Sequence, residues 1–382
     1  MGSEINRKLV TIRIVSEIKP ISNADNIELA IVDGWQCVVK KGEFQVGNRG
    51  IYFEIDSFIP LSKEPGNSPF EFLRKDAREW NGLFGVRIKT IKLRGQISQG
   101  LLFSPKSIPS PLPLKRGEYL DDLTGHFNVV KWEKIVEEQE VRKDSWIDPI
   151  VRFFVPKAYR KTVFELIYKS WFFSEKMKRR TSSFPKFIPK TDQERVQNIL
   201  SKVLGSTEIY SVSCKMDGSS MSVWVNEGKF GFASRNCTLG VKDGSKFAEV
   251  VNRYDLPNKL PKGIKGDFAI QGELCGPGIQ ENYEQLDEID FFVFDVYSIS
   301  EQRYLTLGER IEFLEGLDIP LKTVPELGMA SLSQFKSIDD YLAFAEGPSF
   351  KNPKREGVVF KNVHNGNDSF KVVSNSYLLR KG

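Results

Sequence analysis

The sequence predicts an α+β protein in two unequal parts, a small barrel followed by a larger region in which strands alternate with a few helices. Three observations carry this. Apolar-alternating runs bounded by Gly, Asn, Pro or Asp fill the first third: LVTIRIVSEI, IELAIVDGWQCVV, GIYFEIDSFIPL and VRIKTIKLRGQISQGLLF. Such runs are strands, and several short ones at this spacing suit a barrel. The pattern then breaks between Leu112 and Arg180, and from about Thr181 strand-like runs alternate with a few helical ones. The division expected is 1–125 for the barrel, 126–180 for a connecting segment and 181–382 for the larger region.

Bulk composition narrows the class. A chain of 382 residues, 40% hydrophobic and 12% aromatic, is long enough for about two or three ordinary domains. No apolar run approaches the roughly 20 residues needed to cross a bilayer. The opening MGSEINRKLV lacks the apolar core of a signal peptide, so cytoplasm or nucleus is expected, without a membrane. Four cysteines without C-x-x-C spacing and two isolated histidines argue against a zinc site and point any metal to oxygen ligands. The net charge of +5 is too mild to identify a partner.

The connecting segment reads KIVEEQEVRKD and then VRFFVPKAYRKTVFELIYKSWFFSEKMKRRTSSFPKFIPK. Aromatics interleaved with Lys and Arg suit nucleic acid, because rings stack on bases while cations neutralise phosphates. Packing of Phe153, Phe154, Phe164, Trp171 and Phe172 onto a neighbour is the more frequent use of such residues, and both readings stay open. Beyond it, TDQERVQNILSKVLG reads as a helix opening at Thr191-Asp192 and stopping at Gly205.

The run EIYSVSCKMDGSSMSVWVN reads as two strand halves that bracket Lys215 and a sharp Asp217-Gly218 turn. A lysine at a strand end reaches into a cleft, and its neutral amine is a usable nucleophile. Alone, K-x-D-G is common by chance. The order of the downstream phrases distinguishes this instance: SRN with Arg235, GELCGPG with Glu273, FFVFD with Phe294 and Asp295, EGVVFK with Glu356 and Lys361, and SFKV with Lys371. An amine, an arginine, carboxylates, an aromatic face and a second lysine are the parts that hold and activate a nucleoside triphosphate.

The ordered set KMDGSS, SRN, GELCGPG, FFVFD, EGVVFK and SFKV resembles the motifs of the covalent nucleotidyltransferases, the superfamily of ATP-dependent ligases and capping enzymes. Within it, FPKFIPKTDQERVQN and GELCGPGIQ are similar to RNA ligases. SNADNIELAIVDGWQCVVKKGEFQVGNRGIYF with IKLRGQISQGLLF resembles the OB-fold modules appended to such ligases. There Lys40, Lys41, Arg87, Lys89, Lys92 and Arg94 would supply charge for nucleic acid.

The fold this resemblance implies is α+β, an N-terminal OB-fold β-barrel with a C-terminal nucleotidyltransferase domain of antiparallel sheets flanked by helices. The activity it implies is ATP-dependent sealing of RNA 3′-OH and 5′-phosphate ends, as in RNA repair, by a monomer that uses ATP and Mg²⁺ or Mn²⁺. Lys215 is then the nucleophile that becomes lysyl-AMP. Arg235 and Glu273 hold the nucleotide sugar, the arginine also meeting the RNA terminus. Phe294 stacks on adenine, Lys371 meets the α-phosphate, and Asp217 and Glu356 organise a hydrated metal. Ser219-Ser220, where DNA ligases and capping enzymes commonly carry an arginine, favours the RNA ligase. Val372-Val373 leaves one lysine of a usual pair, with Lys361 the remaining candidate for its partner. The alternatives are a DNA ligase or capping-type nucleotidyltransferase, and a non-catalytic RNA-binding protein.

Overall fold

The computed structural model describes residues 7–66, 68–108, 122–132, 183–263 and 265–381. The aromatic positions singled out between 153 and 172 lie outside the described residues, as does nearly all of the connecting segment.

The first part is built from β1 (Val10–Pro20), β2 (Ile27–Val32), β3 (Trp35–Lys40), β4 (Arg49–Phe53), β5 (Ser57–Pro60), β6 (Arg78–Trp80), β7 (Leu83–Arg87), β8 (Thr90–Leu93), β9 (Gln96–Gln99), β10 (Leu101–Phe103) and β11 (Val130–Lys131). Strand β1 is long enough to serve two neighbours. Its residues 10–14 pair with β4 and residues 15–20 with β2, the register shifting between Val15 and Glu17. Such a shift bends a strand and lets a sheet curl towards closure. The sheets run β10-β4-β1-β2-β3 and β11-β5-β7-β6, beside the β8-β9 hairpin. Inside lie Trp35, Tyr52, Phe53 and Phe58, each at most 2% exposed. This is the expected barrel. Of the six cations expected on it, Lys40, Lys41, Lys89, Lys92 and Arg94 are exposed. Arg87 is engaged within the protein, donating to Asp56 at 2.8 Å and lying over the Trp132 ring at 3.7 Å.

The second part holds β12 (Glu194–Arg195), α1 (Leu200–Val203), β13 (Ile209–Lys215), β14 (Ser219–Asn226), β15 (Lys229–Ser234), β16 (Thr238–Leu239), α2 (Lys246–Arg253) and α3 (Leu256–Gly263). It continues with β17 (Phe268–Cys275), β18 (Asp290–Ser298), β19 (Arg303–Tyr304), α4 (Leu307–Glu315), β20 (Lys322–Thr323), β21 (Glu326–Ser331), α5 (Ile338–Ala345), β22 (Gly357–Asn362), β23 (Ser369–Val373) and α6 (Asn375–Lys381). One sheet runs β12-β23-β22-β13-β21; the other runs β16-β15-β14-β17-β18-β19, with β20 added beside β18. The helix expected over 191–205 is reduced to one turn, α1. Glu194 and Arg195 instead pair in parallel with Phe370 and Lys371, and Val196 is fully buried. Sheet pairing and burial outweigh local helix propensity there. Gly205 does mark the stop, at φ +80°, where a left-handed residue ends a helix at little cost.

Each sheet has its own apolar core. Phe360 and Phe370 stack at 4.8 Å in the first, while Phe291, Val293 and Val296 pack among α2, α3 and the strands of the second. The sheets are joined by a charge pair: Lys361 of β22 meets Asp295 of β18, both deeply buried, with the ammonium 5.1 Å from the Tyr304 ring centroid. Lys361 is therefore held by Asp295 across the sheets, and this buried pairing, unlike the expectation of a second phosphate lysine, accounts for its charge. The barrel docks through Arg195, which is 3.5 Å from Glu54 and 3.6 Å from Asp56, and through Asn198, which accepts from Trp35 Nε1 at 2.9 Å.

A buried charge left without its partner is costly, whereas an apolar pair of similar volume is often neutral. Asp295→Ala should therefore lower unfolding free energy by about 3–5 kcal/mol, and Asp295→Leu with Lys361→Met should recover most of it. Urea titrations with both chains check this, and equal losses would mean the charges are not the cause.

Candidate active site

The site forms where the chain passes from one sheet to the other. Lys215 ends β13 and Ser219 begins β14, so the K-x-D-G turn joins neighbours in sequence that belong to different sheets. A Cβ on Gly218 would lie 2.3 Å from the Leu274 carbonyl oxygen, so only glycine permits this approach to β17.

Strand register then supplies the partners. Lys215 lies opposite Gly357 in β22, which places the preceding Glu356 against it, with Nζ to Oε1 at 2.6 Å. Ser213, Val359 and Lys371 line up across β13, β22 and β23, two residues back along β13. Because strand side chains alternate, Lys371 shares the face of Lys215. The second sheet brings Glu273, opposite Ser220 in β14, and Arg235, just beyond β15. Phe294 stands at the β17–β18 irregularity and packs with Met216, Cys275 and Phe292. All seven residues singled out from the sequence thus border one seam.

Electrostatics sharpen the picture. Burial disfavours the Lys215 ammonium, but Glu356, Glu273 and Asp217 outweigh it and hold the group above the usual lysine range. Burial pushes the Glu273 carboxyl up to about 8 and that of Glu356 up to about 7. Lys371 is pulled down to about 8 by burial, against the attraction of Asp192. The protein's own groups therefore keep Lys215 protonated, and the neutral amine expected from the sequence needs additional positive charge nearby.

The donors fit a hard cation. Glu356 Oε2 is buried and accepts no hydrogen bond, and the Asp217 and Glu356 carboxylates act on the same lysine. Among the described residues no cluster of three or more Asp, Glu, His or Cys side chains is close enough to hold an ion. A cation here would complete its shell with water or phosphate oxygens.

Sequence reading missed several members. Asp192 receives Lys371 at 2.8 Å and Lys131 of β11 at 3.0 Å, with Arg235 at 3.8 Å. Burial opposes its charge, but Lys371 and Lys131 hold its carboxyl well below the usual range. Its signal is present in TDQERVQ, but the helix expectation makes Asp192 a cap. Glu284, fully buried, accepts from the Asp217 backbone N–H at 3.4 Å.

Comparison with known proteins agrees with this architecture. An OB-fold domain model matches residues 9–105 and an RNA ligase model matches residues 208–373. A mutant of the Naegleria gruberi RNA ligase in its apo form superposes with TM-score 0.81 at 35% identity, over 98% of this chain and 98% of that one. A mutant of the same ligase with AMP and Mn gives TM-score 0.81 at 36% identity, over 98% and 99%. Its form with PPi gives 0.80 at 35%, over 98% of each. No curated protein matches the chain. Fold and matches define the class, an OB-fold barrel followed by a ligase domain. The chain belongs to the RNA ligase family.

Asp192→Asn removes the only charge the carboxylate carries while Lys371, Lys131 and Arg235 remain. It should cost about 1–3 kcal/mol, discounted for the carboxylate's partial exposure, with the loss shrinking in high salt. Thermal melts at low and high ionic strength check both parts.

Proposed function

We propose that the chain is an ATP-dependent RNA ligase that joins a 3′-OH to a 5′-phosphate through lysyl-AMP and adenylylated RNA. The observation that carries it is the meeting of Lys215 with Glu356, Glu273 and Asp217 at the seam of the two sheets, in a chain related over nearly its whole length to a solved RNA ligase.

The first transfer starts at Lys215. Its nitrogen lone pair bonds to the ATP α-phosphorus, the bond from that phosphorus to the bridging oxygen breaks, and pyrophosphate leaves with the electron pair. The ammonium proton must depart before attack. Glu356 Oε1, at 2.6 Å, is placed to take it, and a carboxyl pushed up to about 7 holds a proton near neutrality. A divalent cation bound near Asp217 and Glu356 supplies positive charge that favours the free amine and neutralises phosphate oxygens.

The remaining groups position substrate, which is most of what phosphoryl transfer needs. Phe294 offers a ring to adenine, a contact worth about 1–3 kcal/mol. Glu273 and Arg235 hold the sugar, and Arg235 reaches the RNA end. Lys371 meets the α-phosphate and exchanges Asp192 for it. The AMP then passes to the RNA 5′-phosphate, and attack by the 3′-OH expels it. In this reading residues 1–125 form the OB module, 126–180 connect, and 181–382 transfer the nucleotide. The enzyme acts as a monomer on nicked or broken RNA in cytoplasm or nucleus, as in repair. Among the described residues no helix is long and apolar enough to cross a membrane.

Incubation with α-labelled ATP and Mg²⁺ or Mn²⁺ should label the protein covalently, and Lys215→Ala should abolish it. An unlabelled protein whose mass also shows no AMP overturns the reading. Nicked RNA should be sealed in preference to nicked DNA; the opposite preference would make it a DNA ligase.

Lys371 gives the pH dependence. With its pKa lowered to about 8, it is charged at neutral pH and neutral in alkali. The KM for ATP should rise about tenfold between roughly pH 7 and 9. In Lys371→Arg, which stays charged, that rise should flatten.

A further inference from the structure

The helix after the last strand of the site touches both halves of the protein. On one side, the Tyr377 hydroxyl hydrogen-bonds to the Asp217 side chain, and its ring meets Tyr283 edge-on at 5.1 Å. On the other side, Leu378, half-buried, packs against the barrel core cluster that contains Trp35 and Tyr52. Asn375 Oδ1 accepts from Gln99 Nε2 at 2.9 Å, and Gln99 is itself buried in the barrel, its carbonyl accepting from the Tyr52 hydroxyl at 3.0 Å. The loop side of α6 is tied as well, since Ser376 donates its N–H to Glu346 Oε1 at 3.0 Å.

We propose that Tyr377 is a positioning residue that fixes the Asp217 carboxylate, and that α6 is a brace through which the barrel sets that geometry by gripping Leu378 and Asn375. None of the six ordered motifs contains Tyr377. Its role comes from lying two residues beyond Asn375, on a turn of chain that contacts a motif carboxylate and the barrel interior together. The hydroxyl is the donor, because an ionised carboxylate has only acceptor oxygens to offer. A carboxylate so held presents its oxygens in one orientation, and the backbone of Asp217 is separately fixed by Glu284. An anchor on each side of one residue is the support a tightly positioned site requires.

The inference rests on the adenylyl-transfer reading of the site, so the experiment separates the two. Mn²⁺ binding by the full chain is measured by electron paramagnetic resonance, and self-adenylylation is measured against Mn²⁺ concentration. Tyr377→Phe should melt within a few degrees of the wild type, bind Mn²⁺ about tenfold more weakly, and need about tenfold more Mn²⁺ for half-maximal labelling. Its rate at saturating Mn²⁺ should change less. Leu378→Ala, which reaches the site only through the helix, should shift Mn²⁺ binding in the same direction, and Leu378→Met should restore it. The Tyr377→Phe/Leu378→Ala chain should bind Mn²⁺ no more weakly than Tyr377→Phe alone, since both remove one interaction. Unchanged Mn²⁺ binding in Tyr377→Phe overturns the positioning role, and losses that multiply overturn the brace. If the wild type acquires no AMP, the ligase reading fails, while the comparison of Mn²⁺ affinities still judges Tyr377.

Discussion

The chain crosses from one sheet to the other in the three residues between Lys215 and Ser219, and the site depends on that crossing. A longer connection would separate Lys215 from Glu273, because each belongs to a different hydrogen-bonded ladder. A residue other than glycine at 218 would press on the Leu274 carbonyl. With the crossing fixed, each ladder delivers its groups by register: β22 and β23 bring Glu356 and Lys371, and β17 and β18 bring Glu273 and Phe294. The Lys361–Asp295 pair then limits how far the sheets slide past each other, since a slip would strand two buried charges.

The electrostatic balance at the seam arises from the same geometry. Three carboxylates surround one ammonium, and burial makes two of them, Glu273 and Glu356, reluctant to stay ionised. The site is therefore acid-rich and attracts both a cation and the phosphates that travel with it. Nearby, Asp192 stands among Lys371, Lys131 and Arg235 as a small anion among cations. Acid gathers around Lys215 and base towards the barrel, so the seam carries both signs of charge along its length.

Much of this was legible in the sequence, for identifiable reasons. Barrel strands announce themselves by alternation between turn residues, and the ligase motifs by their order, which survives although Lys215, Glu273 and Glu356 lie far apart in the chain. What escaped was set by tertiary contact. Residues 194–198 have helical composition, yet Arg195 pairs beside Lys371 and Val196 enters the core, so the helix yields to the sheet. Lys361 carries the same charge as Lys371 and shares its face of the sheet, but it lies two residues further along β22 and there meets Asp295, a distinction of position that only the folded chain shows. Asp192 and Tyr377 lie outside the six ordered motifs, and only the folded chain shows what they touch.

The pairing of β12 with β23 has a further consequence, for synthesis. The first strand of the ligase half is held by its last, and β13, which carries Lys215, is flanked by strands made near the end of the chain. An emerging polypeptide therefore exposes Lys215 long before Glu356 or Lys371 exists. Non-local pairing of this kind closes late and slowly. A prematurely terminated product would carry the K-x-D-G turn without the strands that flank β13, so the topology itself withholds the assembled seam until translation has run nearly to residue 373.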